Sequence, residues 1–165
     1  MTSWETIITR KPRPNEVDGV DYHFISNNEF KKLIDEGKFY EYAKIFNNFY
    51  GTLKTNVDEL IKKNDIIFDI DWQGTKQLSK FTNLKLIKIY LLPPNKDELK
   101  NRLIKRNQDT PEEVTKRYKS FNEDVKHWSD YDYVLINDNL ENCYKQIEKI
   151  ILSNKESSIN LTHTF

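Results

Sequence analysis

Three short apolar runs, each bounded by polar residues, occur from residue 66 onward. They span Ile66–Ile70, Leu86–Leu92 and Tyr131–Ile136. Continuous apolar runs of this length are typical of strands buried on both faces of a parallel sheet. The pattern therefore predicts three parallel strands.

Helical periodicity fills the segments between and after these runs. The capping patterns Asn95-x-x-Glu98 and Thr110-Pro111-x-Glu113 predict helices that end near residues 106 and 126. A third helix is predicted over Leu140–Leu152, with one apolar face. That face comprises Leu140, Cys143, Tyr144, Ile147, Ile150 and Ile151. Alternation of strands and helices favours an α/β protein with a parallel sheet.

The first third of the chain has a different pattern. Ser26-x-x-Glu29 predicts a short helix to about residue 36. Two β segments follow, Lys38–Phe46 and the residues around Tyr50, joined by the turn-prone Asn47–Asn48, and a helix is predicted over Thr55–Lys63. We interpret this region as a small mixed β/α lobe.

Composition narrows the class of protein. The 165 residues contain 26 Lys+Arg and 26 Asp+Glu, so the formal net charge is zero. This balance argues against a protein that binds nucleic acid or an acidic membrane through bulk electrostatics. The single cysteine, Cys143, excludes an internal disulfide framework, and its place on an apolar helix face favours a packing role. No apolar run is long enough for a membrane span and the N-terminus has no signal-peptide pattern, so we expect a cytoplasmic protein.

Arginine is scarce, and its positions are grouped. Against 21 Lys, the chain has five Arg: Arg10 and Arg13, then Arg102, Arg106 and Arg117. Arg offers a planar, bidentate donor that suits phosphate, and the prolines around Arg10 and Arg13 make that pair rigid. For the second group taken alone, an ordinary helix-surface role is the better interpretation.

Two carboxylates lie at the carboxyl end of the first predicted strand. Asp69-Ile70-Asp71 runs into Trp72-Gln73-Gly74, and alternation places both carboxylates on one side of the strand. At the carboxyl end of a parallel strand such groups orient Mg²⁺ and its waters near phosphates. Asp71 equally suits the N-cap of the following helix, and the motif alone leaves both roles open.

The sequence lacks the common glycine-rich nucleotide-binding motifs and a histidine metal-binding motif. The four glycines allow neither G-x-x-x-x-G-K-[S/T] nor G-x-G-x-x-G, and the three histidines lack metal-ligand spacing.

Taken together and in order, the motifs resemble those of bacterial guanylate kinases over roughly Thr6 to Ile151. The segment from Thr9 to Phe24, with Arg10-Lys11-Pro12-Arg13-Pro14 and Asp18-Gly19-Val20-Asp21-Tyr22, resembles the family's nucleotide-binding segment. The resemblance continues through Glu41-Tyr42-Ala43, Tyr50-Gly51-Thr52, Asp69-Ile70-Asp71-Trp72-Gln73-Gly74, Leu91-Leu92-Pro93-Pro94, Arg102-Leu103-x-x-Arg106, Arg117 and Ile136-Asn137-Asp138. It implies transfer of the ATP γ-phosphoryl group to GMP, giving ADP and GDP, with Mg²⁺ bound to ATP.

The resemblance also implies roles for individual residues. GMP would contact Thr6, Arg10, Arg13, Tyr22, Glu41, Tyr50, Thr52, Asp71 and Gly74. Catalysis would involve Arg102, Arg106, Arg117 and Asp69, and Asn137 would lie near the adenine. No direct protein ligand to the metal is expected, although Asp69 is a candidate for contact through water. GMP and ATP are the expected partners, with no nucleic acid and no membrane.

The implied fold is a P-loop-kinase-like parallel sheet flanked by helices, with a GMP-binding lobe over about 9–63 and a core over about 64–152. The core would include a helical lid over about 102–120, and residues 153–165 would form a polar tail. The first strand, phosphate loop and first helix of the family have no counterpart here, Thr6 stands where the family usually has Ser, and Asn107 replaces a lid Gly. We therefore expect little kinase activity from this chain alone, and an apolar sheet left partly exposed. The alternative is a guanylate-kinase-like binding module, or a remnant, that binds GMP or a phosphopeptide without catalysis.

Overall fold

The computed structural model describes residues 6–106 and 110–162, and side chains up to residue 155. It divides into two compact units between Lys85 and Leu86. The elements of the first unit are β1 (Thr6–Ile8), β2 (His23–Phe24), α1 (Asn27–Asp35), β3 (Phe39–Ile45), β4 (Asn48–Leu53), α2 (Lys54–Leu60) and α3 (Trp72–Leu78). Those of the second are β5 (Ile89–Leu92), α4 (Lys96–Arg106), α5 (Pro111–Asp124), a 3₁₀ helix (Val125–Asp130), β6 (Tyr133–Ile136) and α6 (Leu140–Thr162).

The first unit is built on a four-stranded mixed sheet in the order β2-β1-β4-β3. β1 pairs with β2 in parallel and with β4 antiparallel, and β3 and β4 form a hairpin. The hairpin turn falls on Phe46 and Asn47 and not on the expected Asn47–Asn48, because Phe46 takes the left-handed conformation with φ of 56°. The predicted lobe of mixed β/α structure is present.

One face of this sheet forms the core of the unit with α1. Ile7, Phe30 and Phe39 are buried together, and the Phe30 and Phe39 rings stack with 4.6 Å between centroids. β4 passes so close that a Cβ on Gly51 would lie 2.9 Å from the Phe39 ring. Glycine is therefore required at this point of the strand by the packing of the aromatic rings.

Helix starts occur where the capping patterns predicted them. Ser26 and Glu29 form a complete capping box at α1, and Thr110 and Glu113 form one at α5. Asn95 caps α4 by accepting the backbone N–H of Glu98 at 2.8 Å. These helix starts depend only on residues within one turn, so they can be predicted from the sequence.

The predicted strand Ile66–Ile70 is absent as a ladder strand. The segment is irregular, with Ile67 71% exposed and its alternate residues half-buried. A strand exists only where a neighbouring strand satisfies its backbone groups. No described strand forms a ladder with this segment, so the apolar run alone was an insufficient signal.

Residues 64–85 belong with the first unit, whereas the sequence placed them in the core. The reason is that α3 packs against β3, with Gln77 hydrogen-bonded to the backbone of Tyr42. A helix predicted to follow a core strand instead forms part of the lobe.

The second unit contains the other two predicted strands. β5 and β6 pair in parallel over four residues, from Ile89 opposite Tyr133 to Leu92 opposite Ile136. Leu86 to Lys88 lie outside this ladder, although the Lys88 carbonyl accepts the backbone N–H groups of Asp132 and Tyr133. Parallel pairing between these runs is as predicted.

The last helix is longer than predicted. α6 continues past Leu152 to Thr162, through most of the segment expected to be a polar tail. Residues 153–162 contain neither Pro nor Gly, so nothing in the sequence stops the helix when its apolar periodicity fades. The expected apolar face is only partly covered: Cys143 is 2% exposed, whereas Leu140 is 78% exposed.

Candidate active site

The sheet face opposite the aromatic core carries four of the predicted site residues. Thr6 pairs with Thr52, and Thr52 pairs with Glu41, so the three stand side by side across β1, β4 and β3. Tyr50 lies two residues before Thr52 and therefore on the same face. Strand register thus gathers residues that are up to 46 positions apart in the sequence.

Glu41 is a carboxylate held inside the protein. The residue is 3% exposed, and the Thr52 hydroxyl donates to its Oε1 at 2.6 Å. The pKa of Glu41 is raised to about 7, chiefly by burial; the Thr52 hydrogen bond opposes this rise, and the negative charge of Asp71 adds to it. A buried carboxylate with one oxygen partnered is suited to accept hydrogen bonds from a polar ligand.

The N-terminus of α3 lies against this carboxylate. A Cβ on Gly74 would come within 2.6 Å of Glu41 Oε2 and 3.2 Å of the Ile70 side chain, so a larger residue here would have to displace the carboxylate. Asp71 is the N-cap and accepts the backbone N–H groups of Gln73 at 2.9 Å and Gly74 at 3.2 Å. Of the two roles left open for Asp71, the cap is therefore realised, while Asp69 lies exposed in the preceding segment.

Arg10 follows β1 and is held by a carboxylate. Its Nη1 and Nη2 donate to Oε2 and Oε1 of Glu16 at 2.5 and 2.6 Å, and Nη1 also donates to the Lys11 carbonyl at 3.0 Å. Arg13 contributes its backbone N–H to Glu16 Oε2 at 2.8 Å, and its Nη1 lies 3.9 Å from Oε1. The two predicted phosphate-binding arginines are thus organised around one carboxylate.

Glu16 lies within the segment from Thr9 to Phe24 that resembles the family's motif, but it was assigned no role there. Its hydrogen bonds with Arg10 lower its carboxyl pKa to about 2. The same hydrogen bonds are the largest cause of the raised pKa of Arg10, to which Tyr50 adds. The spacing Arg-x-x-Arg-x-x-Glu was the available signal, since a turn brings the third position back to the first two.

Aromatic side chains surround the Arg10 guanidinium. Its Cζ lies 5.4 Å from the centroid of the Tyr22 ring and 5.7 Å from that of Phe24, both within cation–π range. The predicted residues Arg10, Tyr22 and Tyr50 are therefore brought together. The guanidinium Nε is buried and has no hydrogen-bond partner among the described residues.

The remaining predicted residues lie in the second unit. Arg102 and Arg106 are one turn apart on α4, and Arg117 lies on α5, which packs against α4. Arg102 Nε donates to Glu98 at 2.8 Å. Asn137 follows β6, and its backbone N–H donates to the Leu92 carbonyl at 2.7 Å, at the carboxyl ends of the parallel pair. The lid position Asn107 lies outside the described residues.

The described part of the chain has no group of three or more His, Cys, Asp or Glu placed to hold a metal ion. Within residues 6–106 and 110–162, no helix is long and apolar enough to cross a membrane.

Comparison with known proteins decides the family. The guanylate kinase family model matches residues 5–154. The chain belongs to the guanylate kinase family. It is 44% identical over 147 residues to the guanylate kinase of Zymomonas mobilis subsp. mobilis, covering 88% of this chain and 68% of that protein. It is also 44% identical over 151 residues to that of Rickettsia prowazekii, covering 91% and 76%.

A solved structure agrees with this family assignment. The crystal structure of guanylate kinase from Anaplasma phagocytophilum matches with a TM-score of 0.77 at 28% identity, over 92% of this chain and 74% of that one. The resemblance inferred from the motifs and the α/β class of fold are therefore confirmed. Guanylate kinases are ATP:GMP phosphotransferases, and the chain is a member of that enzyme family.

Proposed function

We propose that this chain binds GMP on the sheet face of the first unit opposite the aromatic core, the acceptor site for the family's phosphoryl transfer from ATP. The buried Glu41 carboxylate carries the proposal. Guanine presents N–H donors at N1 and the 2-amino group, which match carboxylate acceptors. Adenine presents an unprotonated N1 at the same edge and would leave Glu41 buried without a donor.

The phosphate of GMP would bind at Arg10. A guanidinium has five N–H groups, and Glu16 and the Lys11 carbonyl accept three of them. Glu16 occupies the Nη1–Nη2 edge, so Nε belongs to a second edge of the guanidinium, and Nε is buried without a hydrogen-bond partner among the described residues. That edge suits side-on, bidentate binding of a phosphate, with Arg13 and the hydroxyls of Tyr22 and Tyr50 as further contacts.

The ATP side would be provided by the second unit. Arg102, Arg106 and Arg117 lie on two packed helices, α4 and α5. These arginines match the family's arginines that contact the ATP phosphates, and Asn137 matches a residue near the adenine. Positive charge placed on transferring phosphoryl groups stabilises the transition state.

Mg²⁺ fits the chain as a companion of ATP. The exposed carboxylate of Asp69 is the oxygen type that a hydrated Mg²⁺ prefers, and contact through water is consistent with it. Mg²⁺ supplies charge neutralisation on the ATP phosphates when it is bound.

A cytoplasmic location remains a prediction.

Calorimetry with GMP and AMP tests the acceptor site. We expect GMP to bind and AMP to bind far more weakly, with Arg10→Ala abolishing GMP binding. Lys11→Ala is the matched control because it removes an exposed cation from the same segment, and it should bind GMP as the wild type does. A folded chain that does not discriminate GMP from AMP would overturn the proposal.

The same preparation separates the alternative functions. Tighter binding of a phosphopeptide than of GMP would favour the binding-module interpretation. The low turnover predicted from the absence of a phosphate-loop motif remains a prediction. GMP-dependent formation of ADP at an ordinary kinase rate, about 1–100 s⁻¹, would contradict it.

A further inference from the structure

The outer edge of β3 is paired with a side chain. β3 is the last strand of the sheet, and β4 satisfies only one of its edges. On the other edge, Gln77 Nε2 donates to the Tyr42 carbonyl at 2.6 Å, and Gln77 Oε1 accepts the Tyr42 backbone N–H at 3.1 Å. The amide of Gln77 thus replaces the peptide group that a further strand would offer.

This pairing fixes helix to strand at one point. Gln77 Nε2 also donates to the Gln73 carbonyl within α3 at 3.1 Å, so the amide is held by its own helix. Glutamine supplies the donor and the acceptor that Tyr42 needs on one planar group. Glutamate would lack the donor, and asparagine would be one methylene too short.

The contact between Gln77 and Tyr42 lies next to Glu41, the carboxylate that is proposed to bind guanine. Tyr42 is the next residue after Glu41, and Gly74 lies one helical turn before Gln77. Thr52 holds Glu41 Oε1, and the backbone of Gly74 closes the space beside Oε2. A small shift of α3 along or away from β3 would therefore change where the carboxylate can sit.

We propose that Gln77 is a positioning residue for guanine recognition: by pairing with both backbone groups of Tyr42, it sets the distance between α3 and β3 that holds Glu41 in place. The proposal rests on the proposed function, in which Glu41 accepts the guanine N–H groups. It assigns Gln77 an indirect role, with no contact to the nucleotide.

Binding of GMP and IMP distinguishes positioning from simple stabilisation. IMP keeps the phosphate and the N1–H group but lacks the 2-amino group, so the ratio of the two affinities reports the second hydrogen bond to Glu41. Gln77→Met preserves length and packing and removes both hydrogen bonds to Tyr42. Lys76→Ala, an exposed change on the same helix, is the matched control.

We expect Gln77→Met to weaken GMP binding, which uses two hydrogen bonds to Glu41, roughly tenfold more than IMP binding, which uses one; tenfold is the value of one hydrogen bond. The GMP preference should therefore shrink, while Lys76→Ala leaves it unchanged. An unchanged GMP affinity, or an equal loss for both nucleotides, would overturn the proposal. If Gln77→Met does not fold, Gln77→Glu is measured by the same criterion, and failure of both to fold would show a purely structural role. Absence of GMP binding by the wild type would instead refute the proposed function.

Discussion

Substitution of Glu41 by Gln tests the electrostatics of the candidate site. The folded chain raises the pKa of this carboxyl from 4.5 to about 7, chiefly through burial. The folded state therefore binds the proton more tightly than the unfolded state does. The stability that Glu41 contributes is fully present below pH 4.5 and is lost as the pH rises toward 7.

The magnitude follows from the size of the shift. A difference of 2.5 pKa units corresponds to about 3 kcal/mol between the protonated and ionised forms. Glutamine keeps the shape and can accept from the Thr52 hydroxyl, but it does not ionise. The stability of Glu41→Gln relative to the wild type should therefore rise by about 2–3 kcal/mol between pH 5 and pH 8.

Urea unfolding at several pH values measures this difference. The comparison across pH cancels any constant cost of the new amide group, so the change with pH is the informative quantity. Glu59→Gln is the matched control because it makes the same exchange at an exposed position on α2. If the stability difference for Glu41→Gln is the same at pH 5 and pH 8, the burial argument is refuted.

The same substitution should lower GMP affinity relative to the wild type as the pH rises, whereas it should raise relative stability. GMP requires the ionised carboxylate, so wild-type affinity should fall about tenfold from pH 8 to pH 6 in addition to the titration of the nucleotide phosphate. Glu41→Gln should bind GMP roughly 100-fold more weakly at pH 8, and should retain only the phosphate's pH dependence. A variant more stable at pH 8 yet unable to bind would place Glu41 as a residue kept for ligand recognition.

Three further substitutions follow from the geometry. Gly74→Ala should weaken GMP binding by roughly tenfold or more, because its Cβ would displace the Glu41 carboxylate, and calorimetry with unchanged affinity would contradict this. Glu16→Gln should destabilise the chain above pH 4.5, and the difference should vanish as the pH falls toward 2, since the Arg10 guanidinium lowers the pKa of Glu16; thermal unfolding across that range checks it. Gly51→Ala should cost about 1–3 kcal/mol in urea unfolding, because its Cβ would meet the stacked aromatic rings, and a neutral effect would show that the rings can move.

Local signals in the sequence predicted local structure well. The capping boxes at Ser26 and Thr110 placed two helix starts, and the glutamate three residues later completed each box. The same kind of reasoning failed at Ile66–Ile70, where an apolar run predicted a strand. Helix caps are satisfied by neighbours in the chain, whereas a strand needs a partner that the run itself does not specify.

The candidate site was only partly predictable. The ordered motifs identified Glu41, Thr52 and Arg10 through a family resemblance, and the family assignment is confirmed. Glu16 and Gln77 were given no role, although both hold the assigned residues in place. A carboxylate or an amide that acts through another side chain has no distinctive pattern in one sequence.

The sequence by itself determined the family, the helix starts and the residue types suited to phosphate and guanine. These depend on the order and spacing of special residues, which a linear chain displays directly. Only the tertiary structure decided that Thr6, Thr52 and Glu41 share one sheet face, that Gly74 lies against Glu41, and that Gln77 pairs with Tyr42. Those contacts join positions distant in the chain, and strand register and helix packing choose them among many alternatives that the same pattern permits.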